Sequence, residues 1–123
     1  MQVDKRVQLL VEALNELPAI ETFSSCGGHD EPDRSASQVP ADEFYVSFEV
    51  TPSERGWHSL ALVVWAADTS EIACDRGEAN VGAWYNNMEP KYEGPARLSF
   101  TLRGRGIEPD VIARNIQLAF VSP

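Results

Sequence analysis

No part of this sequence stays apolar for the roughly 20 residues that a membrane-spanning helix needs. Basic residues are scarce: Lys and Arg total 10 against 19 Asp and Glu, a formal net charge of −9. That balance argues against broad contact with phosphate backbones, which draws on Lys/Arg surfaces. It leaves room for a small local basic patch. Two cysteines, Cys26 and Cys74, make no disulfide framework, and free thiols are the expectation. The opening Met1-Gln2-Val3-Asp4-Lys5-Arg6 lacks the unbroken apolar core of a signal peptide, so the expected location is cytoplasmic, with no membrane partner. There is no internal repeat and no lipidation motif.

What is present is the chemistry of an ordinary globular domain. The 123 residues, 43% hydrophobic and 24% charged, are enough to bury one core, and a single domain over 1–123 is expected. Val3, Val7, Leu10, Leu14 and Leu17, with Val11 alongside, form one helical stripe, and Pro18 ends it. The segment 3–16 therefore reads as a helix covering a sheet, and 19–25 as a short strand. A polar, proline-punctuated loop follows over 30–42. From Glu43 to Val50 the alternation of Phe44, Val46, Phe48 and Val50 against Tyr45, Ser47 and Glu49 is that of a strand with one buried face. Thr51-Pro52-Ser53-Glu54 reads as a capping box with proline at the first helical position, opening a helix to about Ala67. Because Leu60 to Ala67 is apolar nearly all round, this helix is expected to be the more deeply buried one, with Trp57 and Trp65 as packing residues. Ile72-Ala73-Cys74 reads as a short strand. Further strands are expected over 80–85 and 96–103, with Gly104-Arg105-Gly106 breaking the second. A last helix runs from Pro109 to about Phe120, with Ile112, Ile116, Ala119 and Phe120 as its stripe. The fold class is α+β: an antiparallel or mixed sheet of four to five strands, three helices mainly on one face.

Chemistry concentrates in Thr22-Phe23-Ser24-Ser25-Cys26-Gly27-Gly28-His29. Adjacent glycines can take positive φ without steric cost, and successive N–H groups in such a turn can converge on an anion. Ser24, Ser25, Gly27 and Gly28 would be the ligand-binding donors, with Thr22 adding a hydroxyl. Cys26 and His29, three residues apart, are candidate catalytic groups, since a nearby imidazolium or converging N–H dipoles favour the thiolate. The bland alternative is a plain glycine turn with Cys26 buried as a small hydrophobe.

At these residues the chain resembles the tRNA wybutosine-synthesising protein 3 family. Ser24-Ser25-Cys26, a small residue, Gly28 and a basic residue are similar to its Ser-Ser-Cys-Ser-Gly-Arg signature. Leu14-Asn15 at the end of the first helix, a Thr two residues before the serines, and the Trp57-His58 pair are similar as well. Gly27 stands in place of a serine and His29 in place of an arginine, which removes a permanent charge and a forked donor. The resemblance covers residues 14–29, extends at most to 58, and leaves out the C-terminal half. It implies an α/β protein, S-adenosylmethionine as cofactor and methylation of an RNA base, with His58 joining Cys26 and His29 among the catalytic residues.

The other constellations are thinner. Cys26, His29, His58 and Cys74 are numerically a Cys2His2 set, but only Cys26-x-x-His29 is closely spaced, so no metal site is expected. A cysteine-protease arrangement of Cys26 with His58 and Asp75 or Asn80 has no support in the spacing. Asp30, Glu31 and Asp33 read as a solvated acidic loop. Arg97, Arg103 and Arg105 form a candidate anion patch, and Trp84, Tyr85 and Tyr92 could stack a flat ligand. The expected function is binding of a small anionic or nucleotide-like molecule at turn 24–29. The alternatives are the methyltransferase implied by the resemblance and a structural or interaction protein without a site.

Overall fold

A computed structural model describes residues 3–31, 38–74, 76–84 and 98–121. Strands β1 (Ile20–Cys26), β2 (Glu43–Val50), β3 (Glu78–Trp84) and β4 (Leu98–Arg105) form one antiparallel sheet in the order β1-β2-β4-β3. Helices α1 (Gln8–Glu16, entered through a 3-10 turn over Lys5–Val7), α2 (Glu54–Ile72) and α3 (Pro109–Val121) complete the chain. Helix α1 packs on β1 and α2 on β3, with α3 touching both helices between them. The expected α+β architecture with one helical layer is the one observed.

The core forms where the alternation of β2 meets the helical stripes. Phe44, Val46, Phe48 and Val50 are all buried, against Leu10, Val11 and Leu14 of α1 and Ile112 and Ile116 of α3. On the opposite sheet face, the paired Ser47 and Thr101 are also buried, their hydroxyls 2.9 Å apart. Asn15 ties α1 to β1. Its side-chain amide accepts from the Thr22 N–H and donates to Thr22 Oγ1, both at 2.9 Å. Between Thr22 and Ser24 the pairing with β2 slips by one residue, a bulge at Phe23.

Several boundaries differ from expectation for identifiable reasons. The cap of α2 is Ser53, whose Oγ accepts from the Gly56 N–H at 3.0 Å, so Pro52 precedes the cap and is not the first helical residue. Helix α2 continues past Ala67 to Ile72 because its polar residues find partners. Ser70 Oγ donates to the Ala66 carbonyl and accepts from Asn115 Nδ2, and Glu71 accepts the Ala79 N–H. Ile72-Ala73-Cys74 is thus the end of a helix and its turn, not a strand.

Nor is α2 the deeply buried helix. Its inward face is made of small residues (Gly56, Ser59, Val63, Ala66, Ala67 and Ser70), and Trp57 and Trp65 are 46% and 49% exposed. A run that is apolar all round carries no period to say which side faces in. At Gly56 an added Cβ would stand 2.1 Å from the Thr51 carbonyl oxygen, so the close approach admits glycine alone at that position. In α3, Phe120 is likewise 47% exposed, and Ala113 takes a buried place instead.

Strand β4 passes through Gly104 rather than stopping there, since the Phe44 ring lies over that residue. A Cβ at position 104 would sit 2.2 Å from Phe44 Cε1. Gly104→Ala must therefore displace a fully buried ring, and is expected to cost about 1–3 kcal/mol. Urea unfolding checks this; a variant as stable as the parent would show that the ring yields freely.

Candidate functional site

The Cys26–His29 turn is built as much by the start of the chain as by its own residues. Asp4 lies just before the 3-10 turn, and its Oδ2 accepts the Gly27 N–H at 2.8 Å. Two residues on, Arg6 donates through Nη1 to the Gly27 carbonyl at 2.7 Å and to the Ala41 carbonyl. Its Nη2 lies 3.6 Å from Glu108. The turn is thus held from its donor and its acceptor side at once. On the far side the His29 N–H donates to the Val39 carbonyl at 2.9 Å, and the Glu43 N–H to the Pro40 carbonyl.

This double embrace explains the adjacent glycines. A Cβ on Gly27 would lie 3.0 Å from Arg6 Cβ and 3.3 Å from Asp4 Cβ. Gly28 has φ +96°, and a Cβ there would stand 2.7 Å from the Glu43 carbonyl oxygen and 2.8 Å from that of Pro40. Position 28 requires glycine, and position 27 is tight enough that any side chain would push on the N-terminal segment.

Three side chains converge within this frame. Asp4, Cys26 and His29 bring one ligand atom each to within 4.8 Å of the others, and His29 Nε2 is 3.5 Å from Asp4 Oδ2. Cys26, the last residue of β1, is 3% exposed, whereas the His29 and Asp4 side chains are 33% and 41% exposed. The thiol forms a floor; imidazole and carboxylate form the rim.

The remaining sequence-predicted residues distribute as follows. The Thr22 hydroxyl is occupied by the Asn15 clasp and does not serve the turn. Ser24 pairs with Ser47. Ser25 Oγ is buried without a hydrogen-bond partner among the described residues. The Gly27 and His29 N–H groups, two donors that an anion nest would use, are both taken by protein acceptors. His58 is exposed on α2, and the adjacent Ser59 donates to the Pro18 carbonyl, ahead of β1. The length of β1, about 20 Å for its seven residues, separates that end from Cys26. His58 is therefore not part of the corner. Cys74 is also elsewhere, its Sγ 3.4 Å from the Gly106 carbonyl oxygen.

Of the basic patch, Arg105 pairs with Glu78 at 3.0 Å, while the Arg103 side chain is exposed. The two arginines line a shallow hollow of about 150 Å³ with Tyr45, Glu43, Glu78 and Asn80, so acids offset its basic character. Asp33, Asp75, Tyr85, Tyr92, Arg97 and the Trp84 side chain lie outside the described residues.

Asp4 and Arg6 were not legible as site residues. Both fall in the segment that reads as the first helix, Arg6 on its solvated face and Asp4 with no motif around it. Scans of protein-family models, curated proteins and solved structures match nothing to this chain.

The clamp can be tested directly. Arg6→Ala removes both carbonyl contacts and is expected to lower stability by about 2 kcal/mol, as for loss of charge-assisted hydrogen bonds. Arg6→Lys should recover only part, because one ammonium cannot reproduce the fork. Equal thermal midpoints for all three proteins would show that the turn stands without the clamp.

Proposed function

We propose that this protein is a metal-binding domain whose site is the Asp4–Cys26–His29 corner, suited to a divalent transition ion of the zinc class. The observation that carries the proposal is the convergence of a thiol, an imidazole and a carboxylate from three separated positions. Sulfur, nitrogen and oxygen donors together match a borderline-soft ion. In a tetrahedral zinc shell, neighbouring N and O ligands lie about 3.3 Å apart and those involving sulfur about 3.5 Å. The 3.5 Å between His29 Nε2 and Asp4 Oδ2 is long for a hydrogen bond but close to such an edge. The Gly27 N–H on Asp4 supplies the kind of supporting hydrogen bond that orients a ligating carboxylate.

Three protein ligands leave a fourth position open toward solvent, on the side of His29 and Asp4. The anionic or nucleotide-like ligand expected at this turn then binds through the metal, not through backbone N–H groups. A carboxylate at the rim disfavours a bare anion site, and a bound cation reverses that preference. Methyl transfer from S-adenosylmethionine, implied by the resemblance, draws no separate support from the corner's side chains.

The test is metal-dependent stability. Zinc at 100-fold above its dissociation constant should stabilise the protein by about 2.7 kcal/mol. Cys26→Ser and His29→Ala should abolish the shift, and Cys74→Ser should leave it intact. A wild-type midpoint unmoved by zinc, or a shift that survives in both site variants, would contradict the proposal.

A further inference from the structure

Helix α2 turns a long apolar face to solvent. Trp57, Val64, Trp65 and Ile72 are 46%, 38%, 49% and 86% exposed, and Ala61 is exposed beside them. At 100° per residue these five fall in one sector, about 27 Å long from Glu54 to Ile72. Two half-exposed indoles on one helix face are unusual for surface that contacts only water, and such patches mark interaction sites. The sector is also charged with one sign. Glu54 and Asp68 lie within it, while Arg55, the only Lys or Arg in α2, points to the adjoining sector.

We propose that this face binds a basic amphipathic segment of a partner protein. The partner's apolar side chains would cover Trp57, Val64, Trp65 and Ile72. Its Lys and Arg side chains would meet Glu54 and Asp68 and lie over the indole rings, where a cation is attracted to the ring face. Charge selects this occupant. In a second copy of the chain, the carboxylates of Glu54 and Asp68 would meet their own copies across the seam, and each chain carries a net charge of −9. Nucleic acid and anionic lipid are repelled for the same reason. A basic partner is instead drawn in by the field of the whole molecule. The inference stands on α2 alone and is independent of the metal corner.

The probe is a fluorescent amphipathic peptide of about 18 residues, the span of α2, with Leu on one face and Lys on the other. Its binding is read by anisotropy against the full chain. Binding should weaken with salt, and by about tenfold or more in Trp57→Ala/Trp65→Ala, the loss expected for removing aromatic anchors. It should also weaken in Asp68→Lys. These positions are exposed, so circular dichroism should show the fold unchanged. The same peptide with Glu in place of Lys should not bind. Absence of binding by the Lys peptide, equal binding by the Glu peptide, or equal binding by the Trp57→Ala/Trp65→Ala variant would overturn the proposal. So would a wild-type dimer in sedimentation that the same double substitution dissociates, since a second copy would then be the occupant.

Discussion

The Asp4 carboxylate ties the start of the fold to the candidate site. It accepts the Gly27 N–H at 2.8 Å and so fixes the start of the chain against the end of β1. Arg6, two residues on, takes the carbonyl of the same residue. A buried peptide group must find partners for both its donor and its acceptor, and here both come from the same short N-terminal segment. The packing of Val7, Leu10 and Leu14 into the core sets where that segment lies. The arrangement leaves no room for a side chain at 28 and little at 27, and it places a carboxylate beside a thiol and an imidazole.

The residues that carry the wybutosine-synthesis resemblance acquire local physical roles in this setting. Asn15 and Thr22, part of the similar stretch, form the amide clasp between α1 and β1. Gly28 occupies a left-handed position hemmed in by carbonyl oxygens. Trp57 and His58 are surface residues of α2, at the opposite end of β1 from Cys26. Short motifs of this kind follow from how a helix is tied to a strand and how a strand turns. They do not by themselves specify a reaction.

Much of the fold was legible because hydrophobic period and burial coincide. Glu43–Val50 alternates and is a strand with those bounds, and the stripe of α1 faces the core as its spacing requires. Legibility failed where a tertiary contact decided. Gly104 reads as a breaker, but the Phe44 ring fills the space beside it. Ser70 and Glu71 lie beyond the expected end of the helix near Ala67, but Asn115 and the Ala79 N–H hold them in it. The uniformly apolar stretch of α2 hides its orientation, which is set by the small residues it packs inward. At the candidate site, the Cys26–His29 spacing pointed to the turn where those two side chains converge. Asp4 lay 22 residues before Cys26 with no signal of its own, because only the fold brings the two together.

The two candidate surfaces sit apart and call on different chemistry: a donor corner at the end of β1, and an apolar-acidic face on α2. The central claim concerns the corner, and X-ray absorption at the zinc edge of the zinc-loaded protein tests it most directly. The account predicts a shell with one sulfur at about 2.3 Å and nitrogen or oxygen ligands at about 2.0–2.1 Å, with the sulfur lost in Cys26→Ser. A shell of oxygen and nitrogen alone in the wild type would contradict it.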